Sequence, residues 1–336
     1  MGNENNRIEE NQFQNTPSFI QITLKKNYYF PGETIIGTIT LKSDKQLSLA
    51  KFSYLILQTE YWNFKYRNKN TTKSDQHKVI ETSITYPTLL NMSLREGIII
   101  PFEIKLPEFM VSSFEYSLPD KQAFIRSELI ITIEEINAFA STFLIIQKSL
   151  TINNNPLIYE AISEPKILGF VNQGSVKIKC SYPSNTYCFL SHIPLNFEIN
   201  ASTSKIDISK LVIKFNREIK FLDHIKEDKD LIWEEQLYYA EYPLQNVNQS
   251  FTVDIIAEEP EELFNRYMIS DKSLNIADKK QLINFMPSLT SPMISCEYKI
   301  IAEVQYKLLI PLLQNPTLII PVTLCHENDI SWSKFQ

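Results

Sequence analysis

Apolar side chains recur at every second position through much of the chain. Ile20, Ile22 and Leu24 alternate with polar neighbours, and Ile35, Gly37, Ile39 and Leu41 do the same, which is the period of strands with one buried face. Between the two runs stand Pro31 and Gly32. Proline presets φ and glycine accepts positive φ, so the pattern predicts a strand, a turn and a returning strand. Leu55, Leu57, Thr59 and Tyr61 make a third run. In the second half the same style returns at Val176, Ile178, Cys180 and Tyr182, at Leu195, Phe197 and Ile199, and at Phe251, Val253 and Ile255. A long alternation then runs from Tyr298 to Leu308, and another from Leu318 to Leu324. Many short strands with turn punctuation predict an all-β chain of antiparallel sandwiches rather than βαβ units.

One stretch breaks the alternation. Glu258, Glu259, Glu261 and Glu262 surround Pro260, and Leu263, Phe264, Tyr267 and Met268 follow at helical spacing. Carboxylates suit the positive end of a helix dipole, so residues 258–286 are expected to hold a short helical insertion. Leu263, Phe264, Tyr267 and Met268 then form either a docking stripe or the inner face of a helix lying over the end of a sandwich.

At 336 residues the chain has the length of two domains. Asn153-Asn154-Asn155-Pro156 and Ser163-Glu164-Pro165 are turn-rich, and Gly169 and Gly174 flank the restart of alternation at Val176. The expected organisation is a polar leader at 1–17, a sandwich at 18–155, a linker at 156–169, a second sandwich at 170–325 and a tail at 326–336.

Composition removes several function classes. Only 6 glycines occur, without GxGxxG or GxxxxGK[ST], so phosphate-cradling loops are not expected. The 4 cysteines and 4 histidines include no CxxC or HExxH pair, so no metal site or cofactor is expected and the cysteines read as small apolar side chains. With no GxSxG elbow and no Cys/His dyad in a supporting context, the chain reads as a non-enzyme. A net charge of -6 provides no basic field for nucleic acid. Met1 to Pro17 lacks the apolar core of a signal peptide, and no run reaches the ~18 apolar residues of a membrane span. A cytoplasmic protein is expected, peripheral at most to endosomal or plasma membranes, and the sequons at Asn70, Asn91, Asn200 and Asn248 are then idle. The leader opens Met-Gly, but Asn6 stands where a myristoylation signal has Ser or Thr. One basic group stands out: Lys65, Arg67, Lys69, Lys73 and Lys78 surround a polar segment, Asn68 to Gln76, that reads as a long hairpin loop able to meet phosphorylated tails or an anionic membrane.

The stretch Tyr28 to Leu41, YYFPGETIIGTITL, resembles the opening of an arrestin N-terminal domain. Leu94-Arg95-Glu96-Gly97, Pro101-Phe102, Leu106-Pro107 and Ser112-Ser113-Phe114-Glu115 follow in the family's order. The second half is similar to an arrestin C-terminal domain, with Gly174 to Ile178 as its opening strand, Ile193-Pro194-Leu195, and a Pro287-Ser288 to Ser291 loop before the long strand. It departs at Phe189-Leu190-Ser191-His192, where many members carry a second Pro-Gly-Glu. The resemblance, to alpha-arrestin-like, arrestin-domain-containing proteins, implies two immunoglobulin-like β-sandwiches in tandem. It also implies an adaptor that links membrane cargo to endocytosis, sorting or ubiquitination, with cargo tails and that machinery as partners. No Pro-Pro pair exists for a PPxY motif, so the WW-domain route to ubiquitin ligases is not expected. The alternatives are an obligate arrestin-fold subunit of a retromer-like coat, or a structural subunit of a cytoskeletal or ciliary assembly.

Overall fold

The computed structural model describes residues 18–26, 28–66, 69–118, 121–147, 156–167, 171–189, 191–221, 231–245, 247–257, 287–307 and 314–325. They fall into two compact units, one of residues 1–63, 70–114 and 123–148 and one of residues 64–69, 115–122 and 149–336. Apart from single 3-10 turns at Pro87–Leu89 and Glu134–Ile136, the described secondary structure is β.

In the first unit β1 (Ser18–Leu24), β3 (Thr34–Ser43) and β6 (Ile98–Lys105) form one antiparallel sheet in the order β1-β3-β6. The second sheet takes β2 (Tyr28–Tyr29), β4 (Lys51–Tyr66), β5 (Lys69–Thr85), β8 (Lys121–Ile133) and β9 (Ala138–Ile146) in the order β2-β9-β8-β4-β5. β7 (Phe114–Leu118) pairs with β8. Ile35, Ile39 and Leu41 of β3 and Phe102 and Ile104 of β6 share one core with Phe52, Tyr54 and Ile56 of β4 and Leu129 and Ile131 of β8. This is the packing of a sandwich, in which alternate residues of each sheet face inward. On β4 the buried phase is Phe52, Tyr54, Ile56, Gln58, Glu60 and Trp62, while Leu55, Leu57, Thr59 and Tyr61 form the half-buried outer phase.

The motif residues of this half touch one another. Gly32 sits at φ 80° after Pro31, and Glu33 N donates to Phe30 O at 3.0 Å, a type II turn with the two residues that geometry demands. The Glu33 carboxylate accepts from Phe30 N at 3.0 Å and from Lys26 Nζ. Leu106 N donates to Glu33 O and Gly32 N to Pro107 O, which ties the Pro-Gly-Glu turn to Leu106-Pro107. Gly37 lies opposite Phe102, and a Cβ on it would stand 2.7 Å from that ring and 2.8 Å from Thr23 O. The glycine is therefore required by the aromatic ring that crosses it.

The second unit repeats this topology and adds strands to it. β13 (Val176–Tyr182), β15 (His192–Asn200) and β18 (Asn248–Ile256) follow one another as β1, β3 and β6 do. β14 (Thr186–Cys188), β21 (Thr317–Cys325), β20 (Ile294–Tyr306), β16 (Ile208–Phe221) and β17 (Leu231–Pro243) reproduce the order β2-β9-β8-β4-β5. β19 (Leu289–Thr290) pairs β20 as β7 pairs β8. Even the turn after β14 closes as its counterpart does, with Ser191 N on Cys188 O at 3.2 Å, although Pro-Gly-Glu is missing. Ser191 Oγ adds a bond to the same carbonyl at 2.6 Å, a local side-chain closure in place of preset φ angles. The chain is thus all β, built of two antiparallel immunoglobulin-like sandwiches in tandem.

Residues expected as a linker are partly strand: β10 (Leu157–Ser163) pairs along β13 from Leu157↔Tyr182 to Ser163↔Val176. The two-residue strands β11 (Lys166–Ile167) and β12 (Val171–Asn172) pair with each other just beyond it. β10 covers the edge of β13 that would otherwise leave backbone groups unpaired, and β-branched and aromatic residues at Ile158, Tyr159 and Ile162 suit that template. The expected helical insertion, with Leu263, Phe264, Tyr267 and Met268, lies outside the described residues.

A carboxylate clasp secures the first unit. Glu135, in the 3-10 turn before β9, accepts from the backbone N of Ser48, Leu49 and Ala50 at 2.8 to 2.9 Å and from the Ser48 hydroxyl. Ala50 holds φ 47°, which turns its N–H into this nest. The Ser48 hydroxyl foremost, with the three amides, holds the Glu135 carboxyl below its ordinary value of 4.5. A lowered folded pKa contributes stability above the unfolded value that is lost as pH falls through the folded one. Glu135→Gln should therefore flatten the acid limb of a thermal-midpoint profile below pH 4.5 relative to the parent chain, and an unchanged limb would remove the clasp from the account.

Candidate functional site

The basic group does not sit on a loop. Lys69, Lys73 and Lys78 lie within β5 and Lys65 within β4, while Arg67 falls outside the described residues. β5 forms a strand because β4 supplies a ladder and Val79, Ile80 and Ile84 pack against the core; Gln76 Nε2 reaches Thr59 Oγ1 across the pair at 3.1 Å. Polar residues read as loop are here the outer phase of a long hairpin arm. Lys73 is half-buried and Lys78 exposed, five positions apart and so on opposite faces of the strand. Lys78 pairs with Glu81 at 2.6 Å. Of the five basic residues, only the side chains of Lys73 and Lys78 fall among those described.

A different constellation, in the second unit, has the strongest chemistry. Along β16 the inward phase reads Leu211, Ile213, Phe215, Arg217, Ile219 and Phe221, with Arg217 as buried as its apolar neighbours at 0% exposure. Opposite it on β17 stands Glu235, placed there by a register shift at Phe215/Asn216. Arg217 Nε meets Glu235 Oε2 at 2.9 Å, and Nη2 meets the same oxygen. The other oxygen, Oε1, accepts from Trp233 Nε1 at 3.0 Å and from the hydroxyl of Tyr116, whose segment 115–122 belongs to this second unit, at 3.3 Å. Lys121 Nζ lies 2.7 Å from the centroid of the Trp233 ring, a cation–π contact. A carboxylate with both oxygens occupied balances a buried guanidinium, the condition under which a buried charge pair is tolerated. Behind it, on the outward face, Lys299 bridges Glu218 at 2.9 Å and Glu234 at 3.1 Å. Lys299 holds Glu218 below the ordinary carboxylate range, and the Asn216 amide foremost does so for Glu234.

Glu235 pairs with Arg217 inside the sheet and Lys299 bridges Glu218 and Glu234 on the outward face, so the arrangement is a structural clasp. Sequence reasoning passed over Arg217 and Glu235. Their signal was a charge in the inward phase of strict alternation, Leu211-x-Ile213-x-Phe215-x-Arg217-x-Ile219. Grooves among the described residues include one of about 870 Å³ bounded by Ser163, Lys166, Glu303 and Asn315 in the second unit, and one of about 600 Å³ between β5 and β6 in the first, beside Ile80, Ile84 and Leu106. Among the described residues no cluster of three His, Cys, Asp or Glu side chains is placed to hold a metal, and no helix is long and apolar enough to cross a membrane. His192 pairs instead with Asp254, Nδ1 to Oδ2 at 2.6 Å.

Comparison with known families gives one match: the model for the C-terminal domain of arrestin (or S-antigen) fits residues 172–328, which contain β13 to β21. No curated protein matches the chain.

Proposed function

The chain is an arrestin-domain-containing protein, and from that premise we propose that it is an adaptor that brings the cytoplasmic tails of membrane cargo to endocytic, sorting or ubiquitination machinery. The observation that carries the reading is the match to the arrestin C-terminal domain at residues 172–328, preceded by a unit whose β1-β3-β6 and β2-β9-β8-β4-β5 orders recur in it as β13-β15-β18 and β14-β21-β20-β16-β17. The arrestin domain is a non-catalytic scaffold. Packed sandwich cores and open grooves suit binding to extended peptide rather than conversion of a small substrate. The proposed place of action is the cytoplasm, at the face of endosomal or plasma membranes.

Affinity purification of the tagged protein from its own cells, with mass spectrometry and a size estimate, tests this. Substoichiometric membrane proteins with ubiquitin-pathway or coat enzymes are expected. A salt-stable complex of fixed stoichiometry with coat or cytoskeletal subunits would overturn the adaptor in favour of a structural subunit.

The β4–β5 arm is the proposed contact with anionic membrane, where each lysine near the surface contributes ~1 kcal/mol. Reversing Lys65, Arg67 and Lys69 to Glu should abolish sedimentation with phosphatidylserine vesicles at low salt. Equal sedimentation of parent and variant removes the arm from this role.

A further inference from the structure

We propose that Cys188 and Cys325 form a disulfide site that staples the edge strand β14 to β21 under oxidation. The two residues are 137 positions apart in sequence yet directly opposite one another on adjacent parallel strands, with Sγ atoms 4.0 Å apart. Neighbouring strands lie ~4.8 Å apart, inside the Cα separation of about 4.4–6.8 Å that a disulfide spans, so side-chain rotation closes the gap without backbone movement.

The fold itself does not call for cysteine here. In the first unit the corresponding parallel pair is β2 with β9, Tyr29 opposite Ile146, and the next positions hold Phe30 and Gln147. The second unit places Tyr187 opposite Leu324 and then the two thiols. The remaining cysteines are built differently. Cys180 and Cys296 are fully buried on β13 and β20, and burial pushes the Cys180 thiol up to about 12, away from the reactive thiolate.

The pair is also asymmetric. Cys188 is half-exposed and Cys325 is buried, its Sγ 3.4 Å from Tyr187 O. Cys188 is thus the attacking thiol and Cys325 the resolving one. With a peroxide as oxidant, the Cys188 thiolate attacks one oxygen, the O–O bond breaks, and sulfenic acid and one water result. Cys325 sulfur then attacks the Cys188 sulfur, the S–O bond breaks, and a second water leaves as the S–S bond forms. Two thiols lose two protons and two electrons, and the peroxide is reduced to two waters. A dithiol reverses the step by exchange. In a reducing cytoplasm the bond is transient, and while present it adds a covalent link to the three-pair β14 ladder.

The test uses the full chain, reduced and then exposed to hydrogen peroxide, denatured, alkylated and mapped by mass spectrometry. A Cys188–Cys325 linked peptide is expected, short of two hydrogens, with Cys180 and Cys296 alkylated. The thermal midpoint should rise on the order of 5 °C and fall back with dithiothreitol. Cys188→Ser should lose both the cross-link and the shift, and because the mapping is read on the parent chain the result does not depend on that variant folding. Oxidation of Cys188 to sulfinic acid with Cys325 still alkylated, cross-links scattered over four cysteines, or a linked chain with a lowered midpoint would each overturn the site.

Discussion

Replacing Glu235 by leucine should destabilise the second unit by ~3–5 kcal/mol, because it removes from the core the carboxylate that meets Arg217 Nε and Nη2. Arg217 is at 0% exposure on the core-facing phase of β16 and cannot swing into solvent without opening the sheet. The same change strands the Trp233 indole N–H and one bond from Tyr116. The double variant Arg217→Met with Glu235→Leu should recover most of the loss, since two apolar side chains of similar volume suit that inward row beside Phe215 and Ile219. Urea unfolding followed by tryptophan fluorescence, to which Trp233 contributes, measures both. A single variant that costs under ~1 kcal/mol, or a double no better than the single, contradicts the clasp.

Gly174→Ala is the second large effect, a loss of ~3 kcal/mol assembled from two causes. Gly174 holds φ 88°, where an L side chain costs ~1–2 kcal/mol. A Cβ there would also stand 1.8 Å from Thr203 O and 2.6 Å from Thr203 C, which are backbone atoms in a turn locked by Lys205 N on Gln173 O and Ser175 Oγ on Thr203 Oγ1. That turn must move, at a further cost of ~1–3 kcal/mol. Gly97 separates the two causes: its φ is 86°, but a Cβ would find only Leu41 O, at 3.9 Å. Gly97→Ala should therefore cost ~1–2 kcal/mol, and equal losses at both sites would show that sterics at Thr203 contribute nothing.

The strands were legible because burial on one face writes itself into every second residue. Val176, Ile178 and Cys180 are buried as their alternation predicts. Alternation alone could not say which phase of β4 turns inward: Leu55 and Leu57 are apolar but outer, while buried Gln58 is satisfied by Val111 O and Ser127 Oγ. The strand at 69–85 was missed because an edge strand needs few apolar residues, and Thr71, Thr72, Ser74 and Asp75 read as loop. The Arg217–Glu235 clasp depends on a register shift and on Tyr116, 119 positions from its partner, neither of which is local to the sequence. Pro31 and Gly32 were readable for the opposite reason, since the turn they form closes within a few residues.

The parallel pairs that open each larger sheet also set an order of assembly during synthesis. β2 waits for residues 145 and 146, and β14 waits for residues 323 to 325. The first unit can therefore close on the ribosome before most of the second has been translated. The second remains an open sheet, with one edge of β20 unpaired, until residues 317–325 have left the exit tunnel. Over that interval its apolar inner face, Ile300, Ala302 and Val304 among others, is a template for misplaced strands. A nascent chain that stalls before Thr317 would be a substrate for chaperones rather than a partly working protein.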